Sequence, residues 1–293
     1  MNRQRRFAAW MGAILGMVCA LLYAAEANAK DYGKLTEEFH HTYPLSAGGR
    51  VELDNINGAV HITAWDKDEV KVDAVKYAST KERMDQAEIE VESGSNYVSI
   101  RTKYRDHDNT WDSDNWNNPA SVEYTLTVPR SARLDEIKLI NGPLDIHGVA
   151  GEVRASCING QMTVQGLQGR VKLESVNSHM EVQFDKLSNS PVEISSVNGT
   201  IELTLPSDAK AEVEASTVSG RIEDDFGLHV NNHRYVGHDL RGELGSGGPR
   251  IQLSNVNGRI EIRHANDGRT LSTVKDLSHR DRDDDRDDDD DEI

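Results

Sequence analysis

Cysteine is almost missing from this chain, with two residues in 293, at positions 19 and 157. Cys19 lies in an apolar, leader-like stretch, so Cys157 stands alone in the remainder. One thiol cannot close an internal disulfide, and the fold must be held by packing and backbone pairing. Positive charge is also scarce, and the formal net charge is −17. Such an acidic chain repels phosphate backbones and anionic lipid, which argues against nucleic acid as a partner. The sequence has no Gly-x-Ser-x-Gly, no His-Glu-x-x-His and no phosphate-binding loop. It also has no apolar segment near its C-terminus to serve as a membrane anchor.

The first 29 residues read as a secretory signal. Arg3, Arg5 and Arg6 form a positive start, residues 7–25 are almost wholly apolar, and Ala27-Asn28-Ala29 fits a cleavage site. A retained membrane anchor is the competing reading. Cleavage predicts an exported protein of the periplasm, cell envelope or extracellular space, with no stable membrane insertion. At the other end, residues 279–293 hold three Arg against nine Asp and one Glu. Such a run cannot bury apolar surface to offset its ordering entropy, so residues 266–293 are expected to be a polar, acidic, disordered tail.

What the chain does have is a recurring twelve-residue pattern, apolar-x-apolar-x-x-apolar-Asn-Gly-x-apolar-x-apolar. Copies lie at 51–62, 153–164, 171–182, 192–203, 213–224 and 251–262, with a shortened one from Ile140 to Ile146. Residues two apart share one face of a strand, so Val192, Ile194, Ile201 and Leu203 should point inward. Between the half-strands sits a sharp corner, where glycine admits a positive φ and Asn tolerates it better than most. Asn-Gly between strands also signals a hairpin, so an array of antiparallel hairpins is the alternative fold. The glycine position recurs at Gly142, Gly160, Ser178, Gly199 and Gly220, in steps of 18, 18, 21 and 21, and then at Gly258 after 38. Steps of this size suit an all-β, β-solenoid or parallel β-helix-like body, with the 38-residue step hiding one degenerate coil. The corner residues Asn57, Gly58, Asn141, Gly142, Asn159, Gly160, Asn177, Asn198, Gly199, Gly220, Asn257 and Gly258 would then form a structural column. Stacked amides can hydrogen-bond along it, with Ser219 breaking the row and Asn257 resuming it.

Residues 30–130 read as a β-rich cap, residues 131–265 as the repeat region. Within the cap, residues 80–88 are the one short helix candidate. Residues 106–118 should be an exposed loop, where Trp111 and Trp116 are candidates for stacking on sugar rings. Residues 227–248 interrupt the array as a long loop with His229, His233 and His238, at no clear metal-ligand spacing.

Several motifs resemble the bacterial putative-adhesin family of β-strand-repeat proteins, a domain of unknown function. Ile62-Thr63-Ala64-Trp65-Asp66-Lys67-Asp68-Glu69-Val70-Lys71-Val72 is similar to its opening Ile-x-Gly-Trp-Asp-x-Asp-x-Val-x-Val. Tyr124-Thr125-Leu126-Thr127-Val128-Pro129 resembles its Tyr-x-Leu-x-Val-Pro strand. Ser216 to Ile222 with Asp225-Phe226-Gly227, and Gly245-Ser246-Gly247-Gly248, are similar too. Ala64 and Ser178 depart from the pattern where glycine is common. The resemblance implies an exported repeat protein with a β-solenoid-like body.

Outward positions form columns. Arg154, Lys172, Glu193 and Glu214 make one; Asp145, Thr163, Glu181, Glu202 and Glu223 make the other. Stacked Glu181, Glu202 and Glu223 repel unless salt, Arg221 or a divalent cation relieves them. No other cofactor is implied, and no convergent cluster suggests a catalytic, cofactor-binding or metal site. Cys157 occupies a repeat position whose siblings are Asn55, Ser175, Ser196, Thr217 and Asn255, which points to a structural thiol. The expected function is a non-enzymatic envelope protein presenting an extended surface to a protein, a glycan or another surface. An accessory structural or signalling role and a carbohydrate-active enzyme on a β-helix are the alternatives.

Overall fold

A computed structural model describes residues 35–104, 120–232 and 237–278. Residues 1–34, Trp111, Trp116, His233 and the Asp-rich run lie outside them.

The described chain is nearly all β. Seventeen strands run in chain order: β1 Leu35–Pro44, β2 Arg50–Asn57, β3 Val60–Trp65, β4 Glu69–Ala78, β5 Ala87–Gly94, β6 Tyr97–Tyr104, β7 Ser121–Pro129, β8 Arg133–Asn141, β9 Leu144–His147, β10 Val153–Gln165, β11 Val171–Gln183, β12 Val192–Leu205, β13 Ala211–Asp224, β14 Val230–Asn232, β15 His238–Leu244, β16 Arg250–His264 and β17 Val274–Asp276. A single helix, α1 at Lys81–Gln86, is capped by Thr80, whose hydroxyl accepts from the Arg83 N–H at 3.3 Å. That cap satisfies one of the orphan donors that open a helix.

Strands β10, β11, β12, β13 and β16 each run through an Asn-Gly-type corner without a break. Their first halves lie in one wing, in the order β5–β6–β2–β8–β10–β11–β12–β16–β13–β15. Their second halves continue a second wing, β1–β4–β7–β3–β9–β10–β11–β12–β16–β13. Neighbouring copies pair in parallel and in register, Asn177 against Asn198 and Glu181 against Glu202. The antiparallel hairpin alternative therefore fails. A hairpin would pair the two halves of one copy, whereas each half here pairs with the same half of the next.

The corner is a slip in strand phase. In β11, Val171, Leu173 and Ser175 are buried, then Ser178, Met180 and Val182. Two consecutive residues, Val176 and Asn177, therefore face outward, and the strand bends there. The core between the wings is aliphatic, with Val164, Leu173, Val182, Ile201, Leu203 and Ile260 all at 0% exposure.

Three expectations need correction. First, the 38-residue step hides no degenerate coil. Strand β16 inserts between β12 and β13, pairing in register with both. Second, the long loop over 227–248 contains β14 and β15, and β15 runs antiparallel along β13 from Thr217 to Ala211. This covers an edge that would otherwise be open. Third, the polar tail does not begin at 266: β17 pairs with β15, and Leu277 is buried. The region read as a cap also supplies rungs of its own, since β2 pairs with β8 at Asn57–Asn141 and β3 with β9.

Candidate functional site

The corners stack into a ridge along the molecule. On it, six asparagines form a directed ladder. Asn257 Nδ2 donates to Asn198 Oδ1 at 3.1 Å, Asn198 to Asn177 at 3.0 Å and Asn177 to Asn159 at 3.0 Å. Asn159 donates to Asn141 at 2.9 Å and Asn141 to Asn57 at 2.8 Å. Each of the four inner amides gives one bond and takes one, as stacked identical strands permit. The Asn57 side chain in turn meets the Tyr104 hydroxyl, whose pKa burial pushes up to about 12. Ser219 does not interrupt the ladder, because Asn257 follows Asn198 directly and Ser219 lies beyond it.

Beside the ladder runs the glycine column. A Cβ on Gly199, at φ 139°, would sit 1.9 Å from the Ser178 carbonyl oxygen, and one on Gly258 would sit 1.9 Å from the Gly199 oxygen. Gly58, Gly142 and Gly220 show the same close approach, as does Gly160, whose φ is not left-handed. Among the described residues, Asn266 is the one non-glycine residue with a positive φ, so Ser178 turns its corner without entering that region.

On the ladder's other flank lies a row of β-branched apolar side chains. Ile158, Val176, Val197, Val256 and Val218 are 40%, 38%, 41%, 42% and 54% exposed, and Ile56 and Ile140 are half-buried. The sequence reading placed the apolar residue before Asn at the corner and assigned it no exposed role. Its odd spacing, one step out of phase with the half-strand before it, was the available signal. The positions after the glycines are Ala59, Pro143, Gln161, His179, Thr200, Arg259 and Arg221. The ridge thus has no carboxylate in any of its rungs, on a chain of net charge −17.

Under the ridge, buried polar side chains hold the corner. Asn255 Nδ2 donates to the Gly199 carbonyl at 2.9 Å, and Ser175 Oγ to Ser196 Oγ at 2.9 Å. Asn55 Nδ2 donates to the Val122 carbonyl at 2.9 Å, while Asn55 Oδ1 accepts from Thr102 Oγ at 2.9 Å. Cys157 Sγ takes the same place at 3.6 Å from the Gly142 carbonyl oxygen. Burial pushes its thiol pKa up, which keeps it protonated and unreactive.

The acidic column lies on the second wing, away from the corner. Glu181, Glu202, Glu261 and Glu223 follow one another in register. Arginines relieve it at Glu202, Glu261 and Glu223. Arg259 Nη1 reaches Glu261 at 2.7 Å, and Arg263 bonds Glu261 through Nε at 3.0 Å and Glu202 through Nη1 at 3.2 Å. Arg221 Nε lies 3.3 Å from Glu223. Burial alone would raise the Glu261 pKa, but hydrogen bonds from Arg263 and Arg259 outweigh it and hold the carboxyl below the usual range. On the first wing, Gln252 separates Glu193 from Glu214. Among the described residues, no group of three or more His, Cys, Asp or Glu is placed to hold a metal ion. Asp145 pairs instead with His61 at 2.8 Å.

Residues 136–263 match the Toastrack DUF4097 family model. This is the β-strand-repeat family to which the sequence bears its resemblance. The Toastrack match takes in the rungs from β9 to β16, the last up to residue 263, and every corner described above except that at Asn57 and Gly58. Solved structures with similarity include a putative cell adhesion protein of Clostridium sporogenes, at 10% identity and a TM-score of 0.43 over 78% of this chain and 100% of that one. A putative adhesin of Bacteroides fragilis aligns at 14% identity and TM-score 0.26, over 78% and 97%. A putative lipid binding protein of Parabacteroides distasonis aligns at 9% and 0.22, over 79% and 97%. No curated protein matches the chain.

Proposed function

We propose that this is an exported, non-enzymatic cell-envelope protein whose Toastrack array is a β-solenoid-like stack presenting its corner ridge as an extended binding surface. Parallel pairing from β8 to β13, in register from β10 onward, supports the stack. The observation that carries the binding role is the ridge itself: exposed β-branched residues lie in line with a satisfied amide ladder, without one carboxylate. A surface of that kind suits an uncharged, elongated partner, a glycan chain or the face of an envelope protein, and it recurs too evenly for a single active centre. The adhesin-type names of the relatives agree with this reading.

The test is a binding screen against glycans and envelope extracts with the chain and with a Val176→Lys, Val197→Lys variant. Both residues are exposed, so the variant keeps its fold. Binding should fall at least about tenfold as two charges enter the apolar row. If binding survives in that variant but disappears on Trp111→Ala with Trp116→Ala, the segment holding the two tryptophans is the binding element and the ridge is not.

A further inference from the structure

The two wings end in two edge strands on the N-terminal side, and the chain treats them differently. β5 carries Glu88, Glu90 and Glu92 at alternate positions on one face, with Glu90 paired to Lys103 of β6, and such a charged strand discourages a further neighbour. β1 has no such guard. It is ten residues long, has no Lys, has no Pro before its last residue, and pairs with β4 without a bulge. Among the described residues nothing pairs with its outer edge. Phe39, His41 and Tyr43 line one face of it, with ring centroids 4.5 and 6.1 Å apart, and Phe39 and Tyr43 pack partly on the core. The row therefore reaches the open edge half-covered.

The order of residues in β1 is self-complementary about Phe39. Reversing the strand against itself sets Glu38 opposite His40, Glu37 opposite His41, Thr36 opposite Thr42 and Leu35 opposite Tyr43, with Phe39 facing Phe39. Aromatic, hydroxyl and opposite-charge pairs of this kind are those that favour antiparallel neighbours. We propose that β1 is a self-docking edge, along which two copies of this chain pair antiparallel across a two-fold axis at Phe39, so that one sheet runs through both molecules.

Each interface then holds four Glu–His pairs, and each gains when the imidazole is charged. Within one copy His40 Nδ1 already meets Asp73 at 2.8 Å and Nε2 meets Glu38 at 3.1 Å. Lys71 and Lys76 of β4 face Asp73 and Glu37, and Tyr77 of β4 lies within electrostatic reach of Glu38. The neighbouring helix α1 pairs its Lys81 with its own Asp85. Hydrogen bonds to Asp73 and then Glu38 raise the His40 pKa, so the charged form is favoured at the edge. Association strengthens as pH falls through the range of His40, which lies above the usual imidazole value.

Sedimentation velocity at about pH 5.5 and about pH 8 tests this. The chain should sediment as a concentration-dependent dimer at the lower pH, with affinity about tenfold weaker at the higher one, the sum of four modest exposed pairs. His40→Gln with His41→Gln should remove the pH dependence. His40→Glu with His41→Glu, and separately Glu37→Lys with Glu38→Lys, should each be monomeric, and mixing the two should restore the dimer. A monomer throughout for the unaltered chain, a pH dependence unchanged in the Gln variant, or folded charge variants that stay apart when mixed would overturn the proposal.

Discussion

Asn257 donates its side-chain amide to Asn198 at 3.1 Å across a separation of 59 residues, while Ser219, nearer in sequence, lies one rung further out. The ladder follows the spatial order of the rungs and not their order along the chain.

Because every inner amide both gives and takes a bond, the centre of the ladder should matter more than its end. Asn177→Ala removes two hydrogen bonds and should cost about 1–2 kcal/mol, whereas Asn257→Ala removes one and should cost about half as much. Urea unfolding of both variants checks the ratio. Equal losses would mean that the amides act singly.

Gly199→Ala should be among the most damaging small changes available. The added methyl would meet the Ser178 carbonyl oxygen at 1.9 Å, at a φ of 139° that side chains rarely adopt. A loss of about 3 kcal/mol or more is expected, with visible rearrangement of the next rung. Ser178→Gly, at the equivalent position, should change stability by less than about 1 kcal/mol. Thermal unfolding monitored by circular dichroism compares the two.

Glu261 gives the second wing a definite pH response. Its folded pKa is depressed, so its contribution is present above the ordinary glutamate range and is lost as pH falls through the folded value. Glu261→Gln should lower stability at neutral pH by about 1–2 kcal/mol, since Arg259 and Arg263 keep Glu223 and Glu202 as partners. The difference between variant and parent should shrink steadily below about pH 4. Denaturant midpoints measured across that range decide it.

Cys157 should resist thiol reagents in the folded chain and react when it unfolds, because it is buried and its pKa is raised. Cys157→Ser should fold and cost less than about 1 kcal/mol, since a hydroxyl can donate to the Gly142 carbonyl as the thiol does. Titration of the native chain with a coloured disulfide reagent tests the first statement.

Much of this was legible from period and phase. Alternation placed Val192, Ile194, Ile201 and Leu203 in the core, where they are buried. Steps of 18 and 21 residues gave parallel neighbours, because consecutive copies do lie side by side from β10 to β12. The insertion of β16 was not legible, since sequence distance says nothing about a slot left open between β12 and β13. Nor was the arginine relief of the acidic column, which needed Glu261 and its two neighbours brought between Glu202 and Glu223. The exposed valines were hidden by their own hydrophobicity, because composition alone does not register a slip in strand phase. The charge pairs of β1 were there to be read, but an edge has meaning only once its neighbour is known.

The place of β16 also constrains how the molecule can be made. A chain synthesised from its N-terminus presents residues 211–224 well before residues 250–264. β13 must therefore wait, paired on one side only by its own returning hairpin, until the last long strand arrives to close the gap. Assembly follows chain order from β8 to β12 and then requires a keystone. Loss of residues 250–264, unlike a shortening of the tail beyond 278, would part the stack into two pieces rather than trim its end.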